Sequence, residues 1–165
     1  MIVVADCSPL NYLIQINCDY LLEALYGRVL VPESVMAELR HRRSLAVVLS
    51  WASRSHAGIE VCRVAASQDE AILDLGEGES DAIQLALERN ADLLLIDERR
   101  GRIEARRRGL ETTGTLGILM EAGQRGLVNA ESVLLELASR TNFRITEKLR
   151  DDLIGRARTF PPPKP

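Results

Sequence analysis

Short apolar runs rich in Val, Ile and Leu alternate along the chain with longer segments whose apolar residues recur at helical spacing. That alternation predicts parallel strands linked by crossover helices, an α/β architecture. The expected strands are residues 2–5, 28–31, 60–64 and 92–96. Ser8-Pro9-Leu10 reads as an N-cap followed by proline at the first helical position, which leaves Asp6 at a strand's C-terminal end. Pro32 opens another helix directly after Val29-Leu30-Val31, with Val35, Met36 and Leu39 on one apolar stripe. A helix is expected over residues 45–56. Gly76 and Gly78 break a helix, and a new one starts at Glu79, burying Ala82, Ile83 and Ala86. Asp97 opens an arginine-rich helix after the fourth strand, and three helical stretches follow Thr112-Thr113-Gly114-Thr115 to residue 159.

A chain of 165 residues with 46% hydrophobic content has the length and core material of one ordinary domain. Residues 1–159 are expected to form it, and the proline-rich residues 160–165 a short extended tail. The formal charge is only -3, with no global basic field, so any attraction for phosphate must be local. Cys7, Cys18 and Cys62 are odd in number, far apart and set among apolar residues, which suits reduced thiols in a cytoplasmic protein. No apolar run approaches the ~20 residues that cross a bilayer. Neither a membrane association nor a signal peptide is expected.

In an open parallel sheet the C-terminal strand ends share one edge, where such folds place their sites. Asp6 and Asp97 both follow apolar strands, and Glu79 begins a helix that leads into one of them. Glu38 lies about 60° round the helical wheel from Val35, at the margin of the buried stripe. Four carboxylates in one small volume repel strongly, since two unit charges at ~4 Å cost about 4 kcal/mol at an effective dielectric near 20. A bound cation removes that penalty, and hard oxygen ligands suit Mg²⁺ or Mn²⁺. Such an ion acidifies its water and so opens a route to phosphodiester hydrolysis. Structural alternatives exist for every acid: Asp6 and Asp97 as helix caps, Glu79 as a partner of a helix dipole, Glu38 as a partner of Arg42.

Taken in order, Asp6-Cys7-Ser8-Pro9-Leu10, Val31-Pro32-Glu33-Ser34-Val35 with Glu38-Leu39, Leu75-Gly76-Glu77-Gly78-Glu79 with Ala82-Ile83, Leu94-Leu95-Ile96-Asp97, and Gly114-Thr115-Leu116-Gly117 resemble the PIN-domain family. More closely, the chain resembles the prokaryotic branch allied to VapC-type toxins. The resemblance implies a three-layer α/β/α sandwich with a mainly parallel central sheet, dependence on Mg²⁺ or Mn²⁺, and endoribonuclease activity. It also implies a small antitoxin as partner and, by analogy with relatives, a homodimer. Carried over by position, Asp6, Glu38, Glu79 and Asp97 are the four acids, with Asp6, Glu79 and Asp97 on the metal. Ser8 and Thr115 are supporting hydroxyls. The third family acid is commonly aspartate, so Asp81 competes with Glu79, and Cys7 stands where a hydroxyl residue is frequent.

The run from Arg99 to Arg108 is the one strong local excess of positive charge, and Arg99, Arg100, Arg102 and Arg106 are candidates for holding RNA. A solvated face with a Glu104–Arg108 pair is the alternative. With aromatics at 4%, binding is expected to be dominated by the backbone and sensitive to salt. Gly76-Glu77-Gly78 lacks the Lys-Ser/Thr of a P-loop, His41 and His56 share no ligand spacing with the cysteines, and no Gly-x-Ser-x-Gly elbow is present. Two other classes compete with a nuclease. One is a catalytically inactive PIN-like domain that binds nucleic acid or protein. The other is an aspartate-nucleophile phosphatase, which expects a second acid where Ser8 stands.

Overall fold

The computed structural model describes residues 1–65 and 69–163, so Lys164 and Pro165 of the expected tail lie outside the described residues. In chain order the elements are β1 (Val3–Ala5), α1 (Cys7–Gln15), α2 (Tyr20–Tyr26), β2 (Val29–Pro32), α3 (Glu33–Leu39), α4 (Ala46–Ala52), β3 (Ile59–Cys62) and α5 (Glu70–Leu73). There follow α6 (Glu77–Glu88), β4 (Leu93–Leu95), α7 (Arg99–Arg107), β5 (Thr112–Thr113), α8 (Thr115–Gln124), α9 (Ala130–Arg140) and α10 (Glu147–Ala157). The five strands lie in the order β3-β2-β1-β4-β5, and every pairing is parallel.

Alternate residues of the central strands enter two separate cores. Val3, Ala5, Val29, Val31 and Leu95 face α1, α2, α8 and α9, while Val4, Leu30, Leu94 and Ile96 face α6 and α7. A sheet covered on both sides has no polar face, which is why these strands read as unbroken apolar runs. The result is the α/β/α sandwich. The chain moves outward from β1 through β2 to β3, then returns to place β4 on the other side of β1. Strand order therefore reverses between β1 and β4. Loops leaving adjacent strands at such a point diverge to opposite faces and leave a crevice at the sheet's C-terminal rim.

Where observed boundaries depart from the expected ones, the reasons are local. α1 starts at Cys7, so Ser8 lies inside the first turn and Asp6 holds the N-cap position. Pro9 is tolerated there because first-turn donors have no intrahelical partner to lose. Similarly, α6 starts at Glu77 rather than Glu79, and α7 at Arg99 with Glu98 as its cap, leaving Asp97 on the loop. The strand β5 was not among the expected four, since two threonines are too short to show alternation; they pair with Leu94 and Leu95. Cys18 and Cys62 are buried, and all three thiols are free. Phe160 packs on the first core, whereas Pro161 to Pro163 are exposed. Among the described residues, no helix is long and apolar enough to cross a membrane.

Leu94 is fully buried beside Ile83 and Ile96 in the second core. Leu94→Ala is expected to lower the unfolding free energy by ~2–5 kcal/mol. Urea titration checks this, with a lower midpoint and an unchanged slope.

Candidate active site

Asp6 leaves β1 at the reversal point. Its backbone N–H donates to the Leu95 carbonyl at 2.9 Å, which joins the ends of β1 and β4. The residue is only 3% exposed, and although it occupies the N-cap of α1 its carboxylate makes no capping bond to the helix beyond Cys7. Burial pushes its pKa up to about 7, partly opposed by a hydrogen bond from the Cys7 backbone and reinforced by the charges of Glu79, Glu38 and Asp97. One buried acid thus senses the other three expected members of the set.

Glu38 reaches the same place from α3. A Cβ on Gly78 would lie 2.9 Å from Glu38 Oε2 and 3.3 Å from Val35 Cγ2, so glycine at this point on α6 leaves room for α3 and its Glu38, with Asp6 Oδ1 in ordinary contact at 3.6 Å. Cys7 lies against this acid pair. Burial, Glu38 and Asp6 together push its thiol up, holding it neutral.

Glu79 divides its carboxylate between two environments. Oε2 accepts from the Gly76 N–H at 3.3 Å, the local cap that its position on α6 suggests. Oε1 is buried with no hydrogen-bond partner, near Gly101 and Ile96. An orphaned carboxylate oxygen is costly, and burial accordingly raises this group's pKa.

Asp97 is held most firmly. Thr115, fully buried at the start of α8, donates to it twice: the backbone N–H to Oδ1 at 2.8 Å and Oγ1 to Oδ2 at 2.6 Å. Gly114 makes this approach possible, because a Cβ there would lie 2.5 Å from Oδ1. Burial still raises the Asp97 pKa against those two bonds and against Arg102.

Two depressions flank these acids. One, of about 560 Å³, is lined by Asp6, Cys7, Ser34, Glu38, Glu79 and His41, among others. The second borders Asp97 and Arg102, and Ser8 and Glu98 line both. Asp81 lines neither, so the structure brings Glu79 rather than Asp81 to the acids. Of the four arginines singled out, Arg102 alone lines either depression. Arg100 pairs with Asp74 at 2.7 Å, Arg106 donates to Thr112 at 2.9 Å, and Arg99 is exposed at the start of α7. The Glu104–Arg108 pair is present, with Asp69 also on Arg108.

Three residues escaped sequence reasoning. Glu98 adds a fifth negative charge that acts on both Glu79 and Asp97, and its adjacency to Asp97 was the available signal. Ser34 has a buried hydroxyl with no partner beside the acids. His41, read as an ordinary surface residue, is exposed and lines the first depression.

A model of the PIN-domain family matches residues 2–159. The chain belongs to the PIN-domain family. No curated protein matches the sequence. PIN domains have a nuclease-type fold and typically use divalent metals, so the acids can be tested for fit to such an ion. Among the described residues, no three acidic, histidine or cysteine side chains are already gathered into a coordination shell. Their chemistry nevertheless suits a hard dication. The donors are oxygens, one is a buried orphan, and Asp6 is pushed toward the neutral form by burial and by the charges of the other three acids. Asp6, Glu79 and Asp97 could hold the ion, with Glu38 at the edge of the group.

A carboxyl whose folded pKa is raised stabilises the fold while protonated and loses that contribution as pH rises. For Asp6 the contribution should be complete below its ordinary 3.8 and gone above about 7. Asp6→Asn should therefore be more stable than the parent at pH 8 without metal, with the gap closing toward pH 4; thermal melts in chelator across that range test the sign. Gly78→Ala should remain folded, because the flexible end of Glu38 can yield to the new methyl. It should weaken Mn²⁺ binding roughly tenfold, and calorimetry that found unchanged affinity would count against a site at this point.

Proposed function

We propose that this PIN domain is a Mg²⁺- or Mn²⁺-dependent endoribonuclease, acting in the cytoplasm as the toxin of a toxin-antitoxin pair. One observation carries the nuclease reading: Asp6, Glu38, Glu79 and Asp97, far apart in sequence, share one electrostatic field at the rim where strand order reverses. The choice of RNA, a small antitoxin partner and a homodimer rests on the motif resemblance to VapC-type toxins.

When bound, a divalent ion supplies positive charge for the phosphate and a water acidic enough to ionise near neutral pH. Asp97 presents its carboxylate in a fixed orientation because Thr115 occupies both of its oxygens as donor. Glu79 contributes the orphaned Oε1, and Asp6 is held rigid by burial at the strand end. Glu38 is exposed on α3, outside the proposed metal set, and is the carboxylate free to accept the attacking water's proton. Arg102, which lines the same depression as Asp97, is the guanidinium that would meet a phosphate oxygen.

A second reading has its own support. A formal net charge of -3 and only 4% aromatic residues give little to hold a substrate strand in register, which favours an idle PIN-like domain that binds RNA or protein. Activity separates the two. Asp6→Asn and Asp97→Asn should each cut Mn²⁺-dependent RNA cleavage by on the order of 10²-fold or more while keeping the parent's circular dichroism, and chelation should act alike. Full cleavage by the purified variants, or none by the parent at any divalent-ion concentration, would end the nuclease reading.

A further inference from the structure

A third depression, of about 550 Å³, adjoins the acidic one, and Cys7, Glu38 and His41 line both. Asn142 lines it together with the depression beside Asp97, so all three meet around the acids. One wall is the loop between α3 and α4, which carries the exposed basic run Arg40-His41-Arg42-Arg43. The loop is held by its own hydrogen bonds. The His41 N–H donates to the Glu38 carbonyl at 3.0 Å, the Ser44 N–H to the His41 carbonyl at 2.8 Å, and the Arg43 N–H to His41 Nδ1 at 3.2 Å. Arg40 serves the fold, its Nε donating to the Ala52 carbonyl at 2.8 Å. Arg42 and Arg43 have no ion pair or side-chain hydrogen bond among the described residues. The Glu38–Arg42 pair that helical spacing allows does not form, because α3 ends at Leu39. On the opposite wall the Tyr12 hydroxyl donates to Asn142 Oδ1 at 3.2 Å, and Phe143 stands edge to face with Tyr12, which ties the α9–α10 linker to α1.

The run on α7 is longer, yet most of it is engaged: Arg100 with Asp74, Arg106 with Thr112, and Arg107 and Arg108 with Glu104. A guanidinium already bonded to a carboxylate has less to offer a second anion, whereas Arg42 and Arg43 present theirs to solvent from a fixed loop. With a formal charge of -3 and the acids gathered at the rim, a polyanion is repelled from the site unless cations stand beside it. Arg102 supplies one in the depression that it shares with Asp97. The α3–α4 loop supplies two more beside Glu38. An acidic polypeptide would also suit these arginines, but a phosphodiester chain suits as well the hard dication that the acids would hold, and so finds partners in all three depressions.

We propose that Arg42 and Arg43 on the α3–α4 loop form a phosphate-binding surface that holds the RNA backbone beside the acids, by charge and without regard to base. It rests on the nuclease reading above for the identity of the polyanion. It also moves the expected RNA contacts from the α7 run to this loop, keeping Arg102 alone of that run.

The test measures the anisotropy of a labelled oligouridine bound in Mg²⁺ to the Asp6→Asn protein, so that the strand stays whole, from ~50 to ~200 mM KCl. Adding Arg42→Gln and Arg43→Gln together should weaken binding roughly tenfold at the lowest salt and flatten the log–log salt dependence by about 1.4, the release of two counterions from a single strand. Arg42→Lys with Arg43→Lys should keep the parent slope, and so should the equal charge change Arg99→Gln with Arg106→Gln on α7. An unchanged slope in the Arg42→Gln and Arg43→Gln protein, or an equal flattening by the α7 pair, would overturn the surface. Loss of polyglutamate binding with oligouridine binding intact would overturn it too, leaving a dock for an acidic polypeptide. Its failure is distinguishable from that of the nuclease reading. Metal-dependent cleavage by the parent protein with an unchanged slope in the loop variant removes the surface alone, whereas a flattened slope without any cleavage removes the nuclease and leaves an RNA-binding loop.

Discussion

The hydrogen bond from the Asp6 N–H to the Leu95 carbonyl sets where every other part of the site can be. It continues the ladder between β1 and β4 past the last paired residues, Ala5 and Leu95, and so brings the loops carrying Asp6 and Asp97 out of the sheet side by side. On one flank α3 carries Glu38, and on the other α6 carries Glu79, with Gly78 allowing the helices to close on each other. Shifting a parallel pairing by one residue exchanges the faces of a strand. With Val3 and Ala5 in one core and Val4 in the other, such a slip would put the wrong side chain in both, so the packing fixes the register of the acids.

Like charges are brought together here against their own repulsion, and the protein meets that cost in several ways. Thr115 gives Asp97 two donors, and Gly76 gives Glu79 one. Arg102 opposes the negative charge at Asp97, and Arg100 opposes it at Glu79. Asp6 has only the Cys7 backbone against burial and three negative neighbours, and it is the acid whose pKa rises furthest into the neutral range. Stability and function pull in different directions at such a residue. An uncompensated acid such as Asp6 gains most from a neighbouring cation and is a burden on the empty fold.

Much of this was legible in the sequence where one residue's surroundings follow from its own segment. Asp6 and Asp97 follow apolar runs, and a strand's end is readable from the point where such a run stops. Glu79 follows a glycine pair, and its bond to Gly76 is a local consequence of sitting three residues beyond the cap. What escaped notice depends on distant segments meeting. Tyr12 and Asn142 are 130 residues apart, and nothing in either neighbourhood indicates that Phe143 will stand against Tyr12. Glu98 is invisible to periodicity because it caps a helix, and β5 because its register comes from β4 rather than from any pattern of its own. The arginine run misled in the opposite sense: helical spacing spreads it round the axis, so Arg106 bonds to Thr112 while Arg102 meets Asp97.

The raised pKa of Asp6 also bears on how the chain matures. With a value of about 7, the carboxyl is often neutral at cellular pH, and a hydrogen ion then relieves the crowding that a metal would otherwise have to relieve. Two apolar cores, one on each face of the sheet, form without any contribution from the acids. Packing of the polypeptide therefore has no need of a metal nucleus, unlike that of small metal-nucleated domains; a dication bound among these acids would displace the proton that Asp6 carries.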